Sequence, residues 1–229
     1  MANSLFTTCF ATLILAQCSL GVIRQSDLTG ILRINPELIG SQYQFFHGVK
    51  PDFCNHLDCP DFTELNKTKD YEERAYRASR WVSTSVEGMD YSAAEEEMFD
   101  KLFLYIEGEN TKKQVIKMTA PVLTKVIAGS GPACKSNFTM SFYLPPSLKQ
   151  PPQPTDKTVY FSSLPAQKVF VSYFGGYATE SAWLEHAETL AKALVRDSKS
   201  FNQDFFFTAG YDSPFKILNR HNEVWYIAE

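Results

Sequence analysis

Four histidines, three candidate carboxylates and one closely spaced cysteine pair are the side chains here whose chemistry could serve a reaction or a metal. An imidazole can ligate iron or move a proton near neutral pH. His47 and His56 lie in an irregular stretch, His186 falls at the edge of an apolar helical stripe, and His221 sits in an Arg-His-Asn turn. No metal-ligand spacing joins them, and each reads more readily as a surface or capping histidine. Glu180, Glu185 and Glu223 are the candidate acids. None has, in sequence, the paired environment that sets a general acid apart from a general base. No glycine-rich phosphate loop, nucleophile elbow or metal triad accompanies them, so catalysis is not expected. Cys54 and Cys59 lack the second pair that a zinc site needs.

The elements that must hold these groups come into focus from Tyr71 onward. Between Ser26 and Asp70 the pattern is irregular, with Pro36, Pro51 and Pro60, and predicts a coiled lead-in with a short helix near Pro36 to Ile39. Tyr71–Tyr76 and Arg80–Val86 then read as strands. Tyr91–Glu107 reads as a helix capped by Ser92, with Glu95 in capping-box spacing. Its residues Ala94, Met98, Leu102, Tyr105 and Ile106 form one apolar stripe, and Gly108 stops it. Gln114–Val126 and Asn137–Leu144 follow as strands, Lys117–Val122 being read as a strand that ends at Pro121.

After the proline connector around Pro145 to Pro154 the order repeats. Thr158–Ser163 and Lys168–Phe174 are expected as strands, then Thr179–Arg196 as a helix. Its apolar face should carry Trp183, Leu184, Ala187, Leu190, Ala191 and Leu194. Gln203–Ala209 and Glu223–Ala228 close the chain as strands. The fold class is therefore α+β, with duplicated strand-helix-strand halves. Joining them into one curved sheet with both helices on one side would bury both stripes.

Composition bounds the partners. A chain of 229 residues can bury a substantial core, and 44% hydrophobic against 21% charged is ordinary for a globular protein. The net charge of −4 provides no field to gather nucleic acid, which is not an expected partner. The apolar run Leu5–Ala16 is too short for a membrane span of about 20 residues, so stable membrane insertion is not expected. Ala16, Cys18, Ser19 and Gly21 after it suit signal-peptidase cleavage, which predicts a signal peptide over 1–21 and a secreted, extracellular protein. Cys9 and Cys18 would leave with it. In an oxidising compartment Cys54 and Cys59 can close a short loop, leaving Cys134 over. Asn66 and Asn137 head glycosylation sequons. The expected organisation is a signal at 1–21, a lead-in with the cysteine loop at 22–69, and one binding domain at 70–229.

Three separated blocks identify a family. They are Phe205 to Ile227 (FFFTAGYDSPFKILNRHNEVWYI), Ile116 to Val122 (IKMTAPV) and Trp81 to Val86 (WVSTSV). Taken together, in chain order from Trp81 to Ile227, they resemble the SOUL haem-binding family, in its haem-binding protein 2 branch. The resemblance implies a distorted antiparallel β-barrel flanked by two long helices, similar to bacterial effector-binding modules. It also implies haem or porphyrin as ligand, held without covalent attachment. The groove positions of relatives match Phe99 and Phe103, with Met98 and Tyr211 beside them. Lys216 keeps a basic residue near the last hairpin and Arg220 adds a second. Two departures matter. Glu96 and Leu104 stand where relatives place basic residues, and Ala75 stands where the branch carries a histidine proposed to ligate iron. An apolar groove without an iron ligand is the expectation that follows. The alternative is a protein-interaction module of the same fold, with the partner unspecified.

Overall fold

The structure is a computed structural model, described for residues 50–129 and 134–229. The signal segment, Cys9, Cys18, His47 and the short helix expected near Pro36 lie outside the described residues. Nine strands form a single antiparallel sheet: β1 (Phe62–Lys67), β2 (Glu72–Tyr76), β3 (Ser79–Gly88), β4 (Val122–Ile127), β5 (Ser136–Leu144), β6 (Tyr160–Leu164), β7 (Gln167–Phe174), β8 (Phe206–Gly210) and β9 (Asn222–Ile227). Helix α1 (Tyr91–Ile106) lies between β3 and β4, and α2 (Glu180–Arg196) between β7 and β8. The strand order is β1-β2-β7-β9-β8-β4-β5-β3-β6, and the sheet curls into a half-barrel. No pairing joins β1 to β6, so the described strands do not close a full barrel.

Side-chain alternation along the strands sorts the core into two layers. On one face Val224 and Tyr226 of β9, Met140 and Phe142 of β5 and Phe170 of β7 pack with Met98, Leu102 and Tyr105 of α1. The same layer takes Trp183, Leu190 and Leu194 of α2, so both apolar stripes are buried on one side of the sheet. On the other face Trp225, Val169, Val171, Leu123 and Phe207 pack with Tyr76, Trp81 and Cys54. Covering both faces explains why β9 is buried almost throughout instead of alternating.

Several boundaries differ from the sequence reading, each for a local reason. The lead-in is not all coil, because Phe62–Lys67 pairs antiparallel with β2 and forms the edge of the sheet. The strand expected over Gln114–Val126 begins only at Val122, where the backbone first pairs with both Phe142 and Gly210. Before it, Ala120 N donates to Asp58 O at 2.9 Å, so this stretch is committed to the lead-in, and Ala120-Pro121 is cis. Asp90, not Ser92, caps α1: its carboxylate accepts from Ala93 N at 3.0 Å. Asp90 is the last residue in an extended conformation, which the cap position requires. Thr179 caps α2 through Ala182 N at 3.2 Å. Gly108 follows α1 with φ +112°, a conformation open to glycine. Leu184, expected on the buried face of α2, is 52% exposed.

Candidate functional site

A cleft opens between α1 and the loop that joins β8 to β9. It has two lobes that share Phe99, Val122, Gly210, Asp212 and Pro214. The apolar lobe, about 310 Å³, is walled by Leu57, Phe99, Phe103, Met118, Tyr211 and Phe215. The larger lobe, about 570 Å³, adds Glu95, Glu96, Asp100, Tyr177, Trp183 and Arg220. Both volumes fall within the range of small-molecule sites. On α1, Phe99 and Phe103 lie one turn apart and stack, with centroids 5.7 Å apart at 14°. Phe99 also meets Phe142 of the sheet edge-on at 5.5 Å, which fixes its ring. A Cβ built at Gly210 would meet nothing within 4 Å, so the missing side chain keeps the floor open.

The expected contact residues are distributed unevenly. Phe99 and Phe103 line the cleft, and Tyr211 lines the apolar lobe although it is only 4% exposed. Met98 is fully buried in the core and lines neither lobe. Lys216 is also outside both linings, its Nζ held by Asp212 Oδ1 at 2.6 Å. Arg220 lines the larger lobe. Its Nη1 donates to the carbonyls of Ser213 and Lys216 at 2.7 and 2.8 Å, and its guanidinium lies 4.5 Å from the Tyr177 ring centroid. Glu96 lines the same lobe and Leu104 is exposed. Among the described residues neither lobe is lined by a histidine or cysteine, while Met118 and Met140 bring thioethers. Ala75 is fully buried on β2 and lines neither lobe. Among the described residues no group of three or more His, Cys, Asp or Glu is placed to hold a metal ion.

Sequence reasoning missed a second constellation, on the sheet face opposite the helices. Arg74 of β2 is 1% exposed and donates to Glu72 Oε2 from Nε and Nη2 at 2.8 and 2.6 Å. Its Nη1 donates to Glu223 Oε1 at 3.0 Å and to the Tyr76 hydroxyl at 3.2 Å. Glu223 therefore does have a paired environment, contrary to the sequence reading. Its Oε2 also accepts from the Tyr211 hydroxyl at 2.9 Å and from Trp225 Nε1 at 2.8 Å, and His221 Nε2 is 2.7 Å from Oε1. Burial pushes the Glu223 carboxyl up, but Arg74 and His221 outweigh it and hold it below the usual carboxylate range. Glu72 is lowered in the same way, with Lys67 and Arg74 overcoming its burial. Burial raises the Tyr211 hydroxyl well above its ordinary value. Both carboxylate oxygens of Glu223 are engaged by these partners. The period-two pattern Glu72, Arg74, Tyr76 was the one available signal, since it put a charged ladder on a single strand face.

The lead-in couples the two constellations. Cys54 and Cys59 are bonded, closing the loop expected for them. Phe53 stacks on His221 at 4.3 Å and meets Tyr211 edge-on at 4.9 Å. Asn55 Nδ2 donates to Asp212 Oδ1 at 3.0 Å, and Leu57 lines the apolar lobe. His186 stacks on Phe174 at 4.0 Å, a packing role, and His56 is exposed.

Residues 57–227 match the family model described as SOUL heme-binding protein. Heme-binding protein 2 of Homo sapiens is 45% identical over 69% of this chain and 77% of its own length, and that of Mus musculus is 42% identical. Heme-binding protein 1 of Xenopus laevis is 32% identical, with 83% of its length covered. Among solved structures, the EcmrR C-terminal domain superposes with a TM-score of 0.52 at 10% identity, over 69% of this chain and 98% of that one. That likeness shows the fold alone.

Proposed function

This chain belongs to the SOUL haem-binding family, and on that premise we propose that its two-lobed cleft binds haem, porphyrin or a similar flat apolar molecule. The observation that carries the reading is the stacked Phe99–Phe103 pair beside the open floor at Gly210. Stacked aromatic faces suit a planar ring, and an empty Cβ position lets it lie close to the backbone. Phe103 is 42% exposed and Phe215 90%, apolar surface that a ring would cover. The protein would act as a binder or carrier, contributing no chemistry of its own. Haem would bring an iron centre, while the residues of this chain bind and orient the ring. Among the described residues the lining carries neither histidine nor cysteine, which favours a site that holds the ring without an imidazole or thiolate ligand.

The setting belongs to the same proposal: secretion by a signal peptide, and glycans on Asn66 and Asn137. Asn66 is exposed at the end of β1, which suits modification, and the disulfide suits an oxidising compartment. The repeated strand-helix-strand order supports duplicated halves, because β3-β5-β4 and β7-β9-β8 run in mirrored order outward from the central β4–β8 pair.

The test is a titration of the protein with ferric haem and with metal-free protoporphyrin, followed by absorbance and fluorescence. Equal, saturable binding of both, without a six-coordinate Soret shift, is expected. Phe103→Ala should weaken both. Binding of neither ring by folded protein would overturn the reading. A protein-interaction role would then come first, favoured by Ile217 and Leu218, 74% and 75% exposed beside Phe215.

A further inference from the structure

The larger lobe carries a charge pattern that the apolar walls do not explain. Glu95, Glu96 and Asp100 of α1 all line it, Glu95 half-buried and the other two exposed. None of the three has an ion-pair or hydrogen-bond partner among the described residues. The nearest helical cation, Lys101, is taken by Glu97 at 2.7 Å. Asp212 also lines the lobe, already neutralised by Lys216. Against these stands the Arg220 guanidinium, held in place by backbone carbonyls. Among the described residues carboxylates thus outnumber cations around a cavity whose other walls include Phe99, Val122, Met140, Trp183 and Pro214.

An apolar wall lowers the local dielectric and strengthens the field of any charge beside it. Glu95 feels this itself, since burial alone pushes its carboxyl above the ordinary value. A ligand cation brought into the lobe would relieve that cost, and a ligand carboxylate would add to it. We propose that the larger lobe selects by charge, taking a flat apolar ring with a neutral or cationic periphery over one bearing carboxylates. This rests on the reading that the ring occupies this cleft. Glu95, Glu96 and Asp100 are the specificity-determining residues.

The test holds the ring constant and changes only its edge. Protoporphyrin, with two propionates, is compared with the same ring whose propionates are converted to trimethylammonioethyl amides. Ring fluorescence is titrated with the full-chain protein at low and at physiological salt. The dication is expected to bind roughly ten times more tightly at low salt, with the difference shrinking as salt rises. A variant carrying E95Q, E96Q and D100N together should bring the two affinities close to each other. It also controls for general attraction of a cation to an acidic protein, since its other carboxylates remain. Phe103→Ala should weaken both rings alike. Equal or tighter binding of the propionate form would overturn the charge rule while leaving the cleft reading intact. So would a difference that survives in the triple variant. If neither ring binds, the cleft reading fails and takes this inference with it.

Discussion

Glu223 and Arg74 form a buried ion pair on the sheet face away from the helices. Both are buried, and each is the other's counter-charge at 3.0 Å. Removing Arg74 strands the Glu223 carboxylate in a medium that solvates it poorly, at a cost of about 3–5 kcal/mol, whereas removing Glu223 leaves Arg74 bound to Glu72 at 2.6 Å. Arg74→Met is expected to lower unfolding free energy by about that amount in urea titrations, and Glu223→Leu by less, because Glu72 still neutralises Arg74. The double variant should lose less than the sum, because no charge is then left unpaired. In the cleft the informative residue is Gly210. A valine there enters open space, so Gly210→Val should weaken porphyrin binding by about tenfold or more while costing under about 1 kcal/mol in stability. Loss of stability without loss of binding would place the ring elsewhere.

At the scale of elements, α1 has one effective cap. Asp90→Ala removes the acceptor of Ala93 N and should cost about 1 kcal/mol, whereas Ser92→Ala, with no capping bond, should stay within about 0.5 kcal/mol. Thermal unfolding of the two variants separates the observed cap from the one that spacing alone suggested. The Cys54–Cys59 loop is the second element with a distinct signature. Loop-closure entropy for so short a ring corresponds to about 2 kcal/mol, which a reductant should remove. Because Leu57 lines the apolar lobe and Asn55 holds Asp212, reduction should weaken ring binding as well as stability. Unchanged affinity under a reductant would show that the lead-in covers the ion network without shaping the cleft.

For the whole molecule, the buried carboxylates set the response to acid. Glu223 and Glu72 both titrate lower in the fold than their ordinary value of 4.5. Below about pH 4.5 the unfolded chain therefore binds more protons than the native one. The stability they provide is present above that pH and is lost as pH falls through their lowered native values. Urea midpoints measured from pH 7 down to pH 3 should decline steeply in this acid range, and Glu223→Gln should flatten the decline. A curve of unchanged steepness in that variant would show that other groups control acid unfolding.

How much of this was legible in the sequence varies with how local each cause is. Both helices, most strand positions and the stop at Gly108 follow from periodicity and turn chemistry, which neighbouring residues determine. The family blocks identified the haem-binding relatives, and the cleft position of Phe99 and Phe103 followed from that likeness. Other features were invisible because their partners are remote in the chain. Arg74 and Glu223 are 149 residues apart and meet only because β7 brings β2 and β9 into one sheet. β1 and Lys216 differ, since their partners are near in the chain: β2 follows β1 across a short turn, and Asp212 lies four residues before Lys216. Glu95 read as a capping-box residue in sequence, and it lines the cleft with Glu96 and Asp100 only because the β8–β9 loop lies opposite α1. The sequence by itself determined which elements form and which family they build. Only the tertiary structure decided which charges are neutralised and which line the cleft, because charge compensation depends on distances between side chains that no local pattern encodes.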